Sequence, residues 1–332
     1  MKNFKFKPIL LGFCATIIAF VTLSWGVFGH EHINNAAVMA LPKPMQTFFY
    51  NHLDFITQEA SVPDLRKYTL RDKAENPRHY IDMENFGDVA SIPLPFEEAK
   101  KKYDEKFLAD NGILPWYIQE IMTKLTKAFK DKRKNEILFL AGDLAHYIGD
   151  ANMPLHTSAN HDGQLSDQKG IHSLWESRLP ELFAKNYKLN VPQAQYYEDV
   201  HKATWDMIHD THSLAQPLLD IDKKLRTATP QNEVFKMDAD GKVLKSKYNT
   251  AIFSEEYAKK LHNELNGMVE SQMRKAITAT ASFWYTAWVN AGKPDLSDLD
   301  SFAVTQRNNQ ALKDDLEMYQ NGNLFGMQNQ ND

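Results

Sequence analysis

Leu144-Ala145-His146-Tyr147-Ile148-Gly149-Asp150-Ala151-Asn152-Met153-Pro154-Leu155-His156 is the stretch on which the reading of this chain turns. Ile137, Leu140, Ala141, Leu144 and Ile148 recur at helical spacing, so a helix is expected here, with Pro154 as its stop. His146 and Asp150 stand four apart and therefore project from one face toward one point. The rest of that helix is apolar, where two ionisable groups would be costly to bury unpaired. A metal ion between them resolves the cost. His156 returns on the segment after Pro154, and Gly170-Ile171-His172-Ser173-Leu174-Trp175-Glu176 repeats the four-residue spacing with His172 and Glu176. Imidazole and carboxylate are the ligands of a zinc that keeps positions open for water and substrate. One such pair alone would more often be a plain hydrogen bond. Two pairs and His156 in one short stretch point to metal.

Outward from this stretch most of the chain reads as helix, without internal repeats. Residues 197–219 and 276–289 carry the same apolar periodicity. Ser282-Phe283-Trp284-Tyr285 and Trp288 read as core packing rather than a ligand box. Val234-Phe235-Lys236-Met237 and Lys242-Val243-Leu244 alternate around Asp238-Ala239-Asp240-Gly241 and predict a small β-hairpin insertion. The acidic turn is too short for a calcium loop. From about Ser301 the chain turns rich in Asn, Gln and Asp, so residues 301–332 are expected to form a polar, flexible tail. The fold class is therefore all-α: one multi-helix domain over residues 25–300.

The first residues point to export. Lys2, Lys5 and Lys7 precede an apolar run from Pro8 to Leu23, and Thr22 and Ser24 are small residues before a cleavage point. This is the pattern of a signal peptide over residues 1–24. The run is short for a bilayer span, which needs roughly 20 residues, so no transmembrane segment is expected in the mature chain. A periplasmic or secreted location follows, and the absence of any Asn-x-Ser/Thr sequon fits the periplasm better than a eukaryotic secretory route. The single cysteine, Cys14, lies inside the leader, so stability is assigned to core and metal rather than disulfides. The formal net charge is -5, and loss of the three leader lysines makes it more acidic. Such a chain lacks a broad footprint for duplex nucleic acid. A phosphate substrate would have to be drawn in locally.

Three further segments complete a pattern. Trp25-Gly26-Val27-Phe28-Gly29-His30, Ser61-Val62-Pro63-Asp64-Leu65-Arg66-Lys67 and Arg78-His79-Tyr80-Ile81-Asp82, together with the two histidine motifs, resemble the superfamily that joins zinc-dependent phospholipase C with the single-strand-specific zinc nucleases. The resemblance implies an all-α fold with a cleft holding three zinc ions. Carried over by position, one zinc takes Asp64, His79, His146 and Asp150. A second takes His156, His172 and Glu176. The third takes the Trp25 amine and carbonyl, His30 and the other oxygen of Asp150. Trp25 supplies its amine only once the chain is cut before it. The implied chemistry is phosphodiester hydrolysis: two zincs about 4 Å apart bridge a hydroxide, Asp64 holds it in line with phosphorus, and the third zinc stabilises the leaving oxygen.

The resemblance also assigns substrate contacts. Lys67 stands where some of these nucleases carry a basic residue that grips phosphate; the alternative is a solvated surface lysine. Tyr80 and Asp82 correspond to an aromatic that stacks on a base and a carboxylate that bonds the base edge, or Tyr80 is a core aromatic. Asp143, one turn before His146, is a candidate acceptor for a ligand imidazole. His52, His201, His209, His212 and His262 have no partner pattern and are read as structural. Two departures lean toward phospholipase C: Glu176 in place of Asp, and Gly170-Ile171 before His172 where the nucleases carry Asn. Against it, Leu65 and Asn76 stand where the phospholipase has choline-pocket aromatics, leaving no cage for a quaternary ammonium. The expected substrate is single-stranded nucleic acid or 3′-nucleotides, with phospholipid head groups as the alternative.

Overall fold

The computed structural model of the protein describes residues 26–246 and 249–323, so the expected leader and the expected ligand Trp25 lie outside the described residues. The described chain is helical, with short 3₁₀ turns and no extended strand, as the all-α reading expects. The principal elements are α1 (Gly26–Met39), α2 (Leu53–Glu59), α3 (Val62–Tyr68), α4 (Leu114–Lys130), α5 (Lys134–Ala151), α6 (Val200–His212), α7 (Ala215–Ala228), α8 (Glu255–Glu264), α9 (Met268–Asn290) and α10 (Phe302–Gln320). No helix among them is long and apolar enough to cross a membrane.

Helix α5 is the hub. It packs against α4, α9, α2 and α1, and every residue from Leu144 to Ala151 is buried. A helix that is apolar on all sides belongs in the middle of a bundle, which is why His146 and Asp150 end up fully buried. Gly142 lets α2 come close: a Cβ there would stand 2.4 Å from Glu59 Cγ. On the far side Trp284 of α9 stacks on Phe49, with centroids 4.9 Å apart and planes 10° from parallel, and donates Nε1–H to the Ala141 carbonyl at 3.0 Å. The aromatic run at 282–285 thus serves the core: Phe283 and Trp284 are buried. A buried side chain such as Phe283 contributes roughly 1.5–3 kcal/mol. With Cys14 the only cysteine in the sequence, packing of this kind carries the domain.

Two expectations take a modified form. The small hairpin pairs in short antiparallel bridges, Met237 with Val243, Phe235 with Phe253 and Lys245 with Ala251, without an extended strand among the described residues. Phe235, Met237 and Val243 are half-buried and Phe253 is buried, while Lys236, Asp238, Lys242 and Leu244 face solvent, the alternation that the hairpin rule expects. The turn itself is made: Asp238 N–H donates to the Lys242 carbonyl at 2.8 Å. Second, the polar stretch from Ser301 is not loose throughout, because Phe302–Gln320 is helix. Ser301 caps it by accepting from Val304 N–H, and Tyr50 donates to Asp315 at 2.6 Å. Polar residues dominate this stretch, but Leu312, Leu316 and Tyr319 recur at helical spacing and pack against the core, with the cap and side-chain hydrogen bonds added to them.

Candidate metal centre

Six chain segments deliver the side chains. His30 lies on α1. Asp64 sits in the first turn of α3, which Pro63 opens. His79 closes the 3₁₀ turn Asn76–His79. His146 and Asp150 occupy the last two turns of α5. His156 lies in the 3₁₀ turn Pro154–Thr157 that follows. His172 and Glu176 lie on the helix over residues 171–183, whose turn Leu174–Arg178 is π-helical. Such widened turns recur at functional sites; here it brings Glu176 Oε2 to 2.8 Å from His172 Nε2 and Oε1 to 3.2 Å from His156 Nε2. Gly170, at φ +92°, starts this helix, and its backbone conformation suits glycine alone. A Cβ there would also press on Phe253.

Asp150 is the crossing point. Its Oδ2 is 2.9 Å from His79 Nδ1 and 3.4 Å from His146 Nε2, while its Oδ1 is 3.6 Å from His30 Nε2 and 3.7 Å from His156 Nδ1. Ligand-type atoms fall into three groups, each within 4.8 Å: His79, His146 and Asp150; His156, His172 and Glu176; His30, Asp64 and His146. Asp64 Oδ1 is 3.7 Å from His79 Nδ1, so the first and third groups adjoin. His30 stacks on His146 with centroids 4.0 Å apart. Of the nine expected ligands, the eight within the described residues fall into these groups, two of which share His146.

The electrostatics show what such a cluster needs. Burial works against the Asp150 carboxylate, but His156 and His146 outweigh it and hold its pKa well below the usual range. Burial opposes the charge on Glu176 too, yet His156 and His172 depress its pKa. His146 and His156 lose charge to burial but gain more from Asp150, and each is raised to about 9. Burial, with His146 beside it, pushes His30 well down. Burial raises Asp64. Both oxygens of Asp64 and both ring nitrogens of His30 make no hydrogen bond among the described residues. An unsatisfied buried polar group costs roughly 1–3 kcal/mol, and a cation within reach of both residues removes that cost. The donor set, imidazole nitrogen and carboxylate oxygen only, suits zinc.

The supporting bonds come largely from the backbone. His146 Nδ1 donates to the Ala60 carbonyl at 2.8 Å, His156 Nδ1 to the His79 carbonyl at 2.5 Å, and His172 Nδ1 to the His161 carbonyl at 2.8 Å. Asp143 does not take the His146 proton; it pairs instead with Arg66 Nη2 at 2.8 Å. The close approach of α2 at Gly142 puts the Ala60 carbonyl in place first. Sequence reasoning also missed Asp162, whose Oδ1 accepts from Gly170 and His172 N–H at 2.9 and 3.2 Å and so fixes the turn bearing His172. No spacing rule links that loop residue to the helix it caps.

Above the ligand atoms lies a cleft of about 1110 Å³. Its lining includes His79, His156 and His172, and also Lys67, Tyr68, Tyr80 and Asp82. Tyr80 is half-buried rather than in the core, and its hydroxyl donates to the Asp110 carbonyl at 3.1 Å. Residues 250–253 and Lys236 of the bridged insertion also line it. Asn76 also lines the cleft, and Leu65 is exposed outside it. Of the histidines read as structural, His52 pairs with Asp300 at 2.8 Å, His201 with Gln119 at 2.6 Å and His262 with Tyr187 at 2.8 Å. His209 and His212 join no metal-type group among the described residues.

Comparison with known proteins adds one finding. The family model described as S1/P1 Nuclease matches residues 25–282. No curated protein matches the chain.

Proposed function

The chain belongs to the S1/P1 nuclease family, zinc-dependent phosphodiesterases, and from that premise we propose that it hydrolyses single-stranded nucleic acid and 3′-nucleotides, using three zinc ions and releasing 5′-phosphate ends. The observation that carries this reading is the set of buried imidazoles and carboxylates under a cleft that also presents Lys67 and a half-buried Tyr80. Asp64, His79, His146 and Asp150 would hold one zinc, His156, His172 and Glu176 a second, and Trp25, His30 and Asp150 the third. When bound, zinc polarises a phosphoryl oxygen and lowers the pKa of water toward neutrality. Asp64 orients the attacking water. Lys67 grips the phosphate: burial works against its charge, but Tyr68, Asp64 and Asp150 raise its pKa and keep it cationic. Tyr80 stacks on the base. Burial and then Glu84 lift Asp82 to about 6, so above that pH its carboxylate accepts hydrogen bonds from the base edge.

Assay of the purified mature protein on single-stranded DNA, RNA, 3′-AMP and mixed phospholipids tests the proposal. Lipid turnover without nucleotide turnover would sink it in favour of the phospholipase C reading, which the Glu176 and Gly170 departures suggest. Stacking on an aromatic is worth about 1–3 kcal/mol per base. Tyr80→Ala is therefore expected to lower turnover of 3′-AMP roughly 10- to 100-fold. Hydrolysis of a small phosphodiester lacking a base should change far less, and equal losses would remove the stacking role.

Export belongs to the same proposal: residues 1–24 are cleaved, and the matched span begins at residue 25. A precursor retaining the leader, or a chain with one extra residue before Trp25, should then bind one zinc fewer. Because such an ion supplies several kcal/mol of charge stabilisation, turnover should fall about 100-fold or more. Full activity with full metal content in that precursor would leave Trp25 as a packing residue only.

A further inference from the structure

One of the buried imidazoles is turned the other way from its neighbours. His146, His156 and His172 each set Nδ1 against a backbone carbonyl, which can only accept. Their Nδ1 atoms therefore carry a proton, and Nε2, which faces Asp150 or Glu176, is the nitrogen left to offer a lone pair to a metal. His79 reverses this. Its Nδ1 faces the cluster, 2.9 Å from Asp150 Oδ2 and 3.2 Å from His146 Nε2. Its Nε2 points away, toward Glu75 Oε1 at 3.5 Å, and makes no shorter hydrogen bond. Both residues are fully buried. The reversal has a backbone cause: His79 ends a four-residue 3₁₀ turn, and Glu75 caps its start, so the two side chains lie on one side of a single turn.

Glu75 is itself held from three sides. Arg66 Nε donates to its Oε2 at 3.1 Å and Arg78 Nη1 to the same oxygen at 2.9 Å, while the Tyr147 hydroxyl donates to Oε1. Two guanidinium groups keep the carboxylate charged, and Asp143 balances Arg66 on its far side. A charged carboxylate accepts only. The geometry points to Glu75 as a positioning residue: it draws the His79 proton to Nε2 and so leaves the Nδ1 lone pair directed at the metal cluster. Hydrogen-bonded partners of this kind fix tautomer and ring orientation and commonly affect metal affinity 10- to 100-fold. Glu75 thus does for His79 what backbone carbonyls do for the other three imidazoles. The inference rests on the zinc reading given above.

The test uses mature protein stripped of metal and titrated with zinc alone against a competing chelator, with nitrogen-15 spectra of the imidazoles recorded alongside. Wild-type protein is expected to show His79 protonated at Nε2, opposite to His146, His156 and His172. Glu75→Gln keeps the shape but loses the charge, and should weaken one zinc by about 10-fold or more while leaving the second group intact, with a mixed His79 tautomer. Tyr147→Phe leaves the carboxylate and both arginines in place and should give a smaller shift in the same direction, so the case survives if Glu75→Gln folds poorly. Wild-type zinc uptake combined with unchanged affinity and an unchanged His79 signal in both variants would overturn the role of Glu75. Wild-type protein that takes up no zinc would overturn the metal reading itself, and this role with it.

Discussion

Asp150→Asn is expected to reduce phosphodiester hydrolysis by about 1000-fold or more and to cost the protein more than one metal ion. The replacement keeps the volume of the side chain but removes the charge that four imidazoles share. His79 and His146 approach one oxygen within 3.4 Å, and His30 and His156 approach the other within 3.7 Å. A group serving one ion would cost that ion alone; a group between ions should cost at least two. Each lost ion withdraws several kcal/mol of charge stabilisation, and about 4 kcal/mol corresponds to roughly 1000-fold in rate. Metal analysis of the folded variant, beside His172→Ala, separates the cases: His172 approaches one carboxylate, Glu176 at 2.8 Å, and its loss should remove one ion. An Asp150→Asn protein that keeps its full metal content and a tenth of its activity would show that the two carboxylate oxygens are not shared.

Stripping the metal from the mature protein should lower its unfolding temperature by about 10–20 °C, reversibly on adding zinc. Ions that bind only the folded chain stabilise it by mass action. Structural zinc sites supply roughly 10–16 kcal/mol. Even about 5 kcal/mol, at about 2–4 °C for each kcal/mol, gives the shift stated. No disulfide offsets the loss, since Cys14 is the only cysteine in the sequence. Stripping leaves Asp64 and His30 buried with no hydrogen bond among the described residues. Calorimetry with and without a chelator measures the effect, with metal analysis to verify removal. An unchanged midpoint in verified metal-free protein would mean that the clustered side chains satisfy one another without an ion.

The fold was legible wherever the chain repeats a local rule. The apolar recurrence through Ile137 and Ile148 is the buried hub α5, and the aromatic run at 282–285 packs the core through Phe283 and Trp284. Two places were legible only in part. The alternation around Asp238 gives the turn and the antiparallel pairing, but not that the pairing stops at short bridges. The stretch after Ser301 is dominated by polar residues, and its helix is docked by the sparse Leu312, Leu316 and Tyr319 and by contacts such as Tyr50 with Asp315 that join residues distant in sequence. The insertion gained a meaning that no local rule supplies, because Lys236 and residues 250–253 line the same cleft as Tyr80.

For the metal centre the division follows from how far each interaction reaches. Four-residue spacing on a helix is a local property, so the pairs His146 with Asp150 and His172 with Glu176 could be read from the chain directly. The resemblance added His30, Asp64 and His79 by position. What orients these side chains is not local. The acceptors for three imidazoles are the carbonyls of Ala60, His79 and His161, and every residue has a carbonyl, so no residue type announces the one that matters. The reversed ring of His79, the widened turn under Glu176 and the replacement of Asp143 by Ala60 are decided only when α2, α5 and the short turns pack together. The sequence by itself determined which atoms are available to a metal; the tertiary structure decided which nitrogen of each ring faces it, because a proton on an imidazole goes to whichever acceptor the packing brings within reach.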